Sequence, residues 1–202
     1  MKILIVGGNG TIGKKVTAYF KADHRVITAG RQSGDVRVDI TDAGSISSMF
    51  QQAGSVDAVV SIAGEAKWAP LGELSEDDYY IGLKSKLMGQ VNLVRIGRDH
   101  LNPGGSFTLT TGILADHPVA MTASAAMVNG GIHSFVKAAA LEMAQGMRIN
   151  VVSSGLVEDA VDKYEAYFPG HNPILMKKVV NGYVKSVLGR GTGEIIRMYD
   201  NC

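Results

Sequence analysis

The sequence holds a single cysteine, Cys202, its last residue. One thiol makes no intrachain disulfide and no cysteine metal cluster, so the expectation is no metal and a reducing, cytoplasmic setting. An excess of either charge is also missing. Twenty Lys and Arg stand against 19 Asp and Glu, a net charge of +1. That balance argues against nucleic acid or an anionic membrane surface as partner. No apolar run approaches the roughly 18 residues of a membrane span. The opening "MKILIVGG" is too short in its apolar part for a secretory leader. Internal repeats, low-complexity tracts and linkers are absent too. With 46% hydrophobic and 19% charged residues, one globular domain over 1–202 is expected.

What is present is an alternation. Short apolar runs at 2–6, 25–29, 36–40, 56–62, 106–111, 148–153 and 194–198 read as strands. Most are continuously apolar, which suits strands covered on both faces. Helical patterns at 11–20, 75–97, 122–145 and 172–189 lie among them. The second opens on a Ser75 cap and acidic first turn, and Leu83, Leu87, Val91 and Val94 give it an apolar stripe. Alternation of this kind predicts an α/β fold, a doubly wound parallel sheet of about seven strands in three α/β/α layers. Between the second and third strands stand only residues 30–35. A parallel crossover usually needs about a dozen residues or more, so no helix is expected there.

The loop "VGGNGTIG" (6–13) joins the first strand to the first helix. Gly8, Gly10 and Gly13 fit G-x-G-x-x-G, and Gly7, Gly10 and Gly13 fit a wider spacing. A lone pattern of this kind is an ordinary strand-to-helix turn. In the first loop of a parallel sheet it is a phosphate cradle, with glycines for the turn, for close approach and for helix packing. The helix N-terminus adds free N–H groups. Gly7, Asn9, Gly10, Thr11, Ile12 and Gly13 are the candidate contacts. The second strand ends "TAGRQSG", without the acid that would hold the ribose of NAD. Arg31 just beyond it, with Ser33 as a second donor, favours NADP(H) over NAD(H). The alternative is a solvated surface arginine.

The pieces "VGGNGTIG", "VDIT" (38–41), "SIAG" (61–64), "KLMG" (86–89), "GSFTLTTG" (105–112), "RINVVSSGLVED" (148–159) and "TGEIIRM" (192–198) fall in order along the chain. Together they resemble the short-chain dehydrogenase/reductase family over nearly the whole length. The resemblance implies a Rossmann sheet of seven strands, adenine contacts from Asp39 and Ile40, and cofactor contacts along Ala63 and Gly64. It places Gly155 to Val157 near the nicotinamide. It also implies a homodimer or homotetramer through the helices at 75–97 and 122–145. The second of these carries Ala123, Ala125, Ala126, Gly130, Gly131 and Ala138 to Ala140, which permit close approach or simply pack on their own sheet.

The family's chemistry uses an Asn, a Ser and a Tyr and Lys four apart. Aligning "FVKAAALEM" (135–143) with the family's helix ending puts the tyrosine position on Ala125 and the lysine position on Asn129. The serine position falls on Gly112, after Thr111, and the asparagine position on Lys86. All four usual residues are absent, and no tyrosine occurs between Tyr80 and Tyr164. Lys86 is the sharpest replacement acid, since desolvation would bring its pKa down; otherwise it snorkels to solvent. Thr111 can bind a substrate oxygen, and Asn129 a ribose or a water. His117, Tyr164, Tyr167, Tyr183 and Trp68 are further candidates near the substrate. The expected activity is NADP(H)-dependent hydride exchange with a small carbonyl or alcohol. The alternative is a non-catalytic NADP(H)-binding sensor or subunit.

Overall fold

The computed structural model describes residues 1–199, so Cys202 lies outside the described residues. Its elements run β1 (Lys2–Val6), α1 (Thr11–Lys21), β2 (Arg25–Gly30), β3 (Val36–Arg37), α2 (Ala43–Ala53) and β4 (Val56–Ser61). Then come α3 (Glu76–Gly82), a π-helical segment (Leu83–Met88), α4 (Gly89–Gly97), β5 (Leu101–Gly112) and α5 (Ala123–Ala140). The chain continues through β6 (Arg148–Ser154), α6 (Val161–Tyr164), α7 (Met176–Leu188) and β7 (Ile195–Met198). The strands form one sheet in the order β3-β2-β1-β4-β5-β6-β7, all pairs parallel. Strand order reverses between β1 and β4, where a doubly wound sheet opens its binding crevice.

Period-two alternation sends successive side chains of β1 to opposite layers. Leu4 and Val6 join Met49 and Phe50 of α2, Leu93 of α4 and Ile132 of α5. Ile3 and Ile5 join Val16 and Phe20 of α1 and Val179 and Tyr183 of α7. Both faces are thus buried, which explains why the strands read as continuous apolar runs.

The link from β2 to β3 contains no helix, as its length requires. The Asp35 carboxylate accepts hydrogen bonds from the backbone N and Oγ1 of Thr28, each at 2.8 Å. Gly34, at φ +119, brings the turn within 2.9 Å of the Thr28 carbonyl oxygen, measured from an added Cβ. These bonds hold the Asp35 carboxyl below its usual pKa range and fold residues 31–33 back over the end of β2.

Several boundaries differ from the sequence expectation. β3 stops at Arg37 rather than residue 40, and α5 stops at Ala140 rather than 145. Helix α2 was not singled out in the sequence; Asp42 caps it through Gly44 N. The expected helix over 75–97 is broken by the π segment. That extra residue shifts the buried stripe. Leu83, Leu87 and Val91 are only partly buried, while Gln90, Leu93, Val94 and Gly97 face the core.

Candidate functional site

The glycine loop fits a nucleotide phosphate through one position in particular. Gly7 has φ +84, and a Cβ there would lie 2.8 Å from the Ile62 carbonyl carbon. A Cβ on Gly13 would lie 2.1 Å from the Gly7 oxygen, so the α1–β1 packing requires glycine. Gly10 is different: a Cβ there would meet only the Gly7 oxygen at 3.5 Å, an ordinary contact. The fold itself does not need glycine at 10. What it leaves is open space over the N-terminus of α1, where no side chain caps the helix and no acid occupies the first turn. Free N–H groups and the helix dipole favour an anion there. Asn9 Nδ2 donates to Ser33 Oγ at 2.8 Å and ties this loop to the β2–β3 turn. Neither residue lines the two cavities described below; their bond fixes the loop that carries Arg31.

Two adjoining cavities share Gly64 and Glu65. The smaller, about 260 Å³, is lined by Gly30, Arg31, Asp39, Ile40 and Ala63, among others. Asp39 accepts from Thr41 N at 2.9 Å and Thr41 Oγ1 at 2.7 Å. Those bonds, helped by the Arg31 charge, lower its pKa and aim an ionised carboxylate at the pocket. Arg31 faces Glu65 across the mouth at 4.0 Å, both side chains about two-thirds exposed.

The larger cavity, about 760 Å³, lies over the C-terminal ends of β4, β5 and β6. Lys86, Thr111 and Asn129 converge on it, with Gly112, Ala125, Gly155 and Val157 in its wall and Ile12 of the glycine loop at one side. Lys86 belongs to the π segment, a form common at functional positions. Three close approaches pull that segment toward the cavity. A Cβ on Gly64 would lie 2.9 Å from Lys86 Cα, Ser85 Oγ accepts from Glu65 N at 3.2 Å, and Gly89 abuts Ile40. Gln90 anchors it below, donating to the Thr110 and Lys86 carbonyls and accepting from Thr110 N. The pairing of β4 with β5 ends at Thr108, so the Gln90 amide stands in for a strand edge beyond it. Desolvation pushes the Lys86 ammonium down to about 8. Among the described residues nothing pairs with that ammonium.

Thr111 Oγ1 shares a hydrogen bond of 2.9 Å with His133 Nε2. Burial lowers the His133 pKa, against the opposing pull of Asp116, so the ring is neutral at neutral pH. Asn129 is 3% exposed, and its Oδ1 is a buried acceptor without a partner among the described residues. A buried acceptor of this kind calls for a donor such as a ribose or substrate hydroxyl.

The structure therefore brings Lys86, Thr111 and Asn129 to one cavity with Ala125 beside them, and Arg31, Asp39, Ile40 and Ala63 to the other. Trp68, Tyr164 and Tyr167 line the larger cavity. Tyr183 does not. It is fully buried on α7 behind the sheet, its hydroxyl 2.8 Å from Thr110 Oγ1. His117 also stands outside the lining, with its ring edge-on to Tyr199. Sequence reasoning missed Glu65, Gln90 and His133. It missed as well the Asp116 carboxylate, bound to Arg197 at 3.0 and 3.1 Å and to the Tyr199 hydroxyl. Only Gln90 left a signal, as a polar residue inside an apolar helix pattern.

Comparisons with known proteins agree with this fold. The family described as Enoyl-(Acyl carrier protein) reductase matches residues 15–180. A crystal structure of the protein lin1944 from Listeria innocua is 49% identical, covers 98% of this chain and 100% of that one, and superposes with a TM-score of 0.97. A small-chain dehydrogenase solved in complex with NADPH is 25% identical over 98% of this chain and 95% of that one, TM-score 0.87. Hydroxynaphthalene reductase arp2 from Aspergillus fumigatus is 28% identical over 148 residues, 70% of this chain and 54% of that protein. The chain spans about half the length of the curated relatives it matches.

Proposed function

The chain belongs to the short-chain dehydrogenase/reductase family, and from that premise we propose an NADP(H)-dependent oxidoreductase acting on a small carbonyl or alcohol. The observation that carries this reading is the junction of the two cavities at Gly64 and Glu65. A dinucleotide laid from one to the other would reach the cavity where Lys86, Thr111 and Asn129 meet. The glycine loop and the α1 N-terminus would hold the pyrophosphate. Asp39 and Ile40 would flank the adenine, and Asn129, Gly155 and Val157 the nicotinamide riboside. Arg31 supports NADP(H) over NAD(H), as does the NADPH-bound relative.

A bound NADPH would supply the hydride. The chain's own residues orient the acceptor and provide the proton. Thr111 Oγ1 and Lys86 Nζ face the carbonyl oxygen, Lys86 gives up a proton as that oxygen becomes a hydroxyl, and solvent returns it. General acid catalysis of this kind is typically worth about 10²–10⁴-fold. We extend the proposal to a homodimer or homotetramer in the cytoplasm. Exposed Tyr80, Ile81, Met88 and Met127 on the two long helices support the assembly, and Gly130 faces open space. Ala125 is buried within its own protomer, and Gly131 packs against Leu87.

A second reading has its own observation. With Ala125 at the tyrosine position, a non-catalytic NADP(H)-binding protein fits the same nucleotide groove. The test follows NADPH absorbance over a panel of aldehydes, ketones and quinones, beside a binding titration. Saturable binding with NADPH consumption supports the enzyme; binding with no consumption anywhere in the panel selects the second reading.

A further inference from the structure

Beyond Lys86 and Asn129, the larger cavity is walled by rings. Trp68 stands 5.5 Å from Tyr164, 5.9 Å from Tyr167 and 6.3 Å from Phe168, centroid to centroid. Trp68 comes from the loop after β4, and the other three from the segment between β6 and α7. That segment is anchored at its base: Val157 bridges Ile174, and Glu158 Oε1 accepts from Met176 N at 2.9 Å. Phe168 is buried beneath, whereas Tyr167 remains 40% exposed and Trp68 and Tyr164 are partly open. Large aromatic faces thus remain available within a lined cavity, and flat conjugated rings stack on such faces.

A ring of aromatics can also recognise a cation. The charges on this wall decide against that. Lys67, Lys86 and Lys163 line the cavity against Glu65 alone. Lys163 Nζ already lies 4.9 Å from the Tyr164 ring centroid, occupying the place a cationic ligand would take.

We propose that the site takes a flat aromatic carbonyl compound bearing an anionic group, its ring against the open faces of Trp68 and Tyr167 and its charge at Lys163 and Lys67. The assignment rests on the oxidoreductase reading for the orientation of the carbonyl toward Thr111 and Lys86, but the binding wall can be tested without turnover. Trp68 is the only tryptophan, so its fluorescence reports occupancy.

The probe is para-formylbenzoate, titrated against Trp68 fluorescence in the presence of NADP⁺. It is compared with its methyl ester and with the saturated formylcyclohexanecarboxylate. The expected result is saturable quenching by para-formylbenzoate, with affinity roughly five-fold or more above each comparator. Lys67→Met with Lys163→Met, both at exposed positions, should erase the preference for acid over ester. Tyr167→Leu, also exposed, should reduce the preference for the aromatic over the saturated ring. Equal affinity for all three probes, or tighter binding of tetramethylammonium, overturns the proposal. If para-formylbenzoate binds with these preferences but NADPH is never consumed, the hydride reading fails and the wall assignment stands. If NADPH is consumed as readily on neutral aliphatic aldehydes, the wall assignment fails and the hydride reading stands.

Discussion

The two ends of the cleft are built on different principles. At the adenosine end, each feature comes from a short local stretch: a glycine loop, the turn at 31–35 between β2 and β3, and Asp39 just past the end of β3. At the reacting end, each feature is assembled from distant parts of the chain. Lys86, Thr111, Asn129 and His133 come from three elements, and the aromatic wall from two more. The first end carries the glycine spacing read from the sequence, and at the second Lys86, Gly112, Ala125 and Asn129 stand where the sequence resemblance would put the family's catalytic side chains. The two ends draw on different parts of the chain: the glycine-loop backbone with the Arg31 and Asp39 side chains at one, and side chains from distant elements at the other.

The largest effect that sharpens this comparison lies within the glycine loop itself. Gly13→Ala drives a Cβ to 2.1 Å from the Gly7 oxygen, so both stability and nucleotide binding should fall, the former by about 1–3 kcal/mol. Gly10→Ala meets nothing closer than 3.5 Å. Its unfolding midpoint in urea should match the wild type while NADPH affinity drops roughly tenfold, since glycine there serves the pyrophosphate. Equal destabilisation by both variants would show that Gly10 is merely structural.

A smaller effect separates the two cofactors. Arg31→Ala should weaken NADPH by roughly 1.5–3 kcal/mol, the usual worth of a hydrogen bond to a charged group, and leave NADH unchanged. Calorimetric titration of both cofactors checks this, and an unaltered NADPH:NADH ratio rejects Arg31 as the discriminator. Smaller still is the influence of Glu65, whose carboxylate competes for Arg31 across an exposed 4.0 Å gap. Glu65→Gln should tighten NADPH by about 0.2–1 kcal/mol, the range of exposed ion pairs.

The same contrast explains what the sequence revealed. The parallel sheet, the missing β2–β3 helix and the nucleotide loop were legible because they depend on local length, apolar runs and glycine spacing. The phase of the helix over 75–97 was not. An inserted π residue at 83–88 moved burial from Val91 to Gln90 and Leu93, and nothing in a 3.6-residue pattern signals such an insertion. The His133–Thr111 bond joins residues 22 apart, and Tyr183 shows the reverse error. Its position in a covering segment was plausible by order along the chain, yet the helix turns it behind the sheet to Thr110. Lys86 was identified through the aligned motif, while the contacts that carry it into the cavity come from Gly64, Ser85 and Gly89.

The proposed division gives the tight holding of the cofactor to the adenosine and pyrophosphate end and the proton supply to the other, with Lys86 as the acid. Its most direct test is Lys86→Met, read as NADPH affinity and as the pH profile of carbonyl reduction. The ammonium is the proton-bearing form, and its pKa is about 8. Wild-type turnover should therefore be high below that pH and fall as pH rises through it. The variant should bind NADPH as the wild type does, lose roughly 10²-fold or more in turnover, and no longer show that alkaline limb. Full turnover with the limb intact, or NADPH affinity lost in step with turnover, would contradict it.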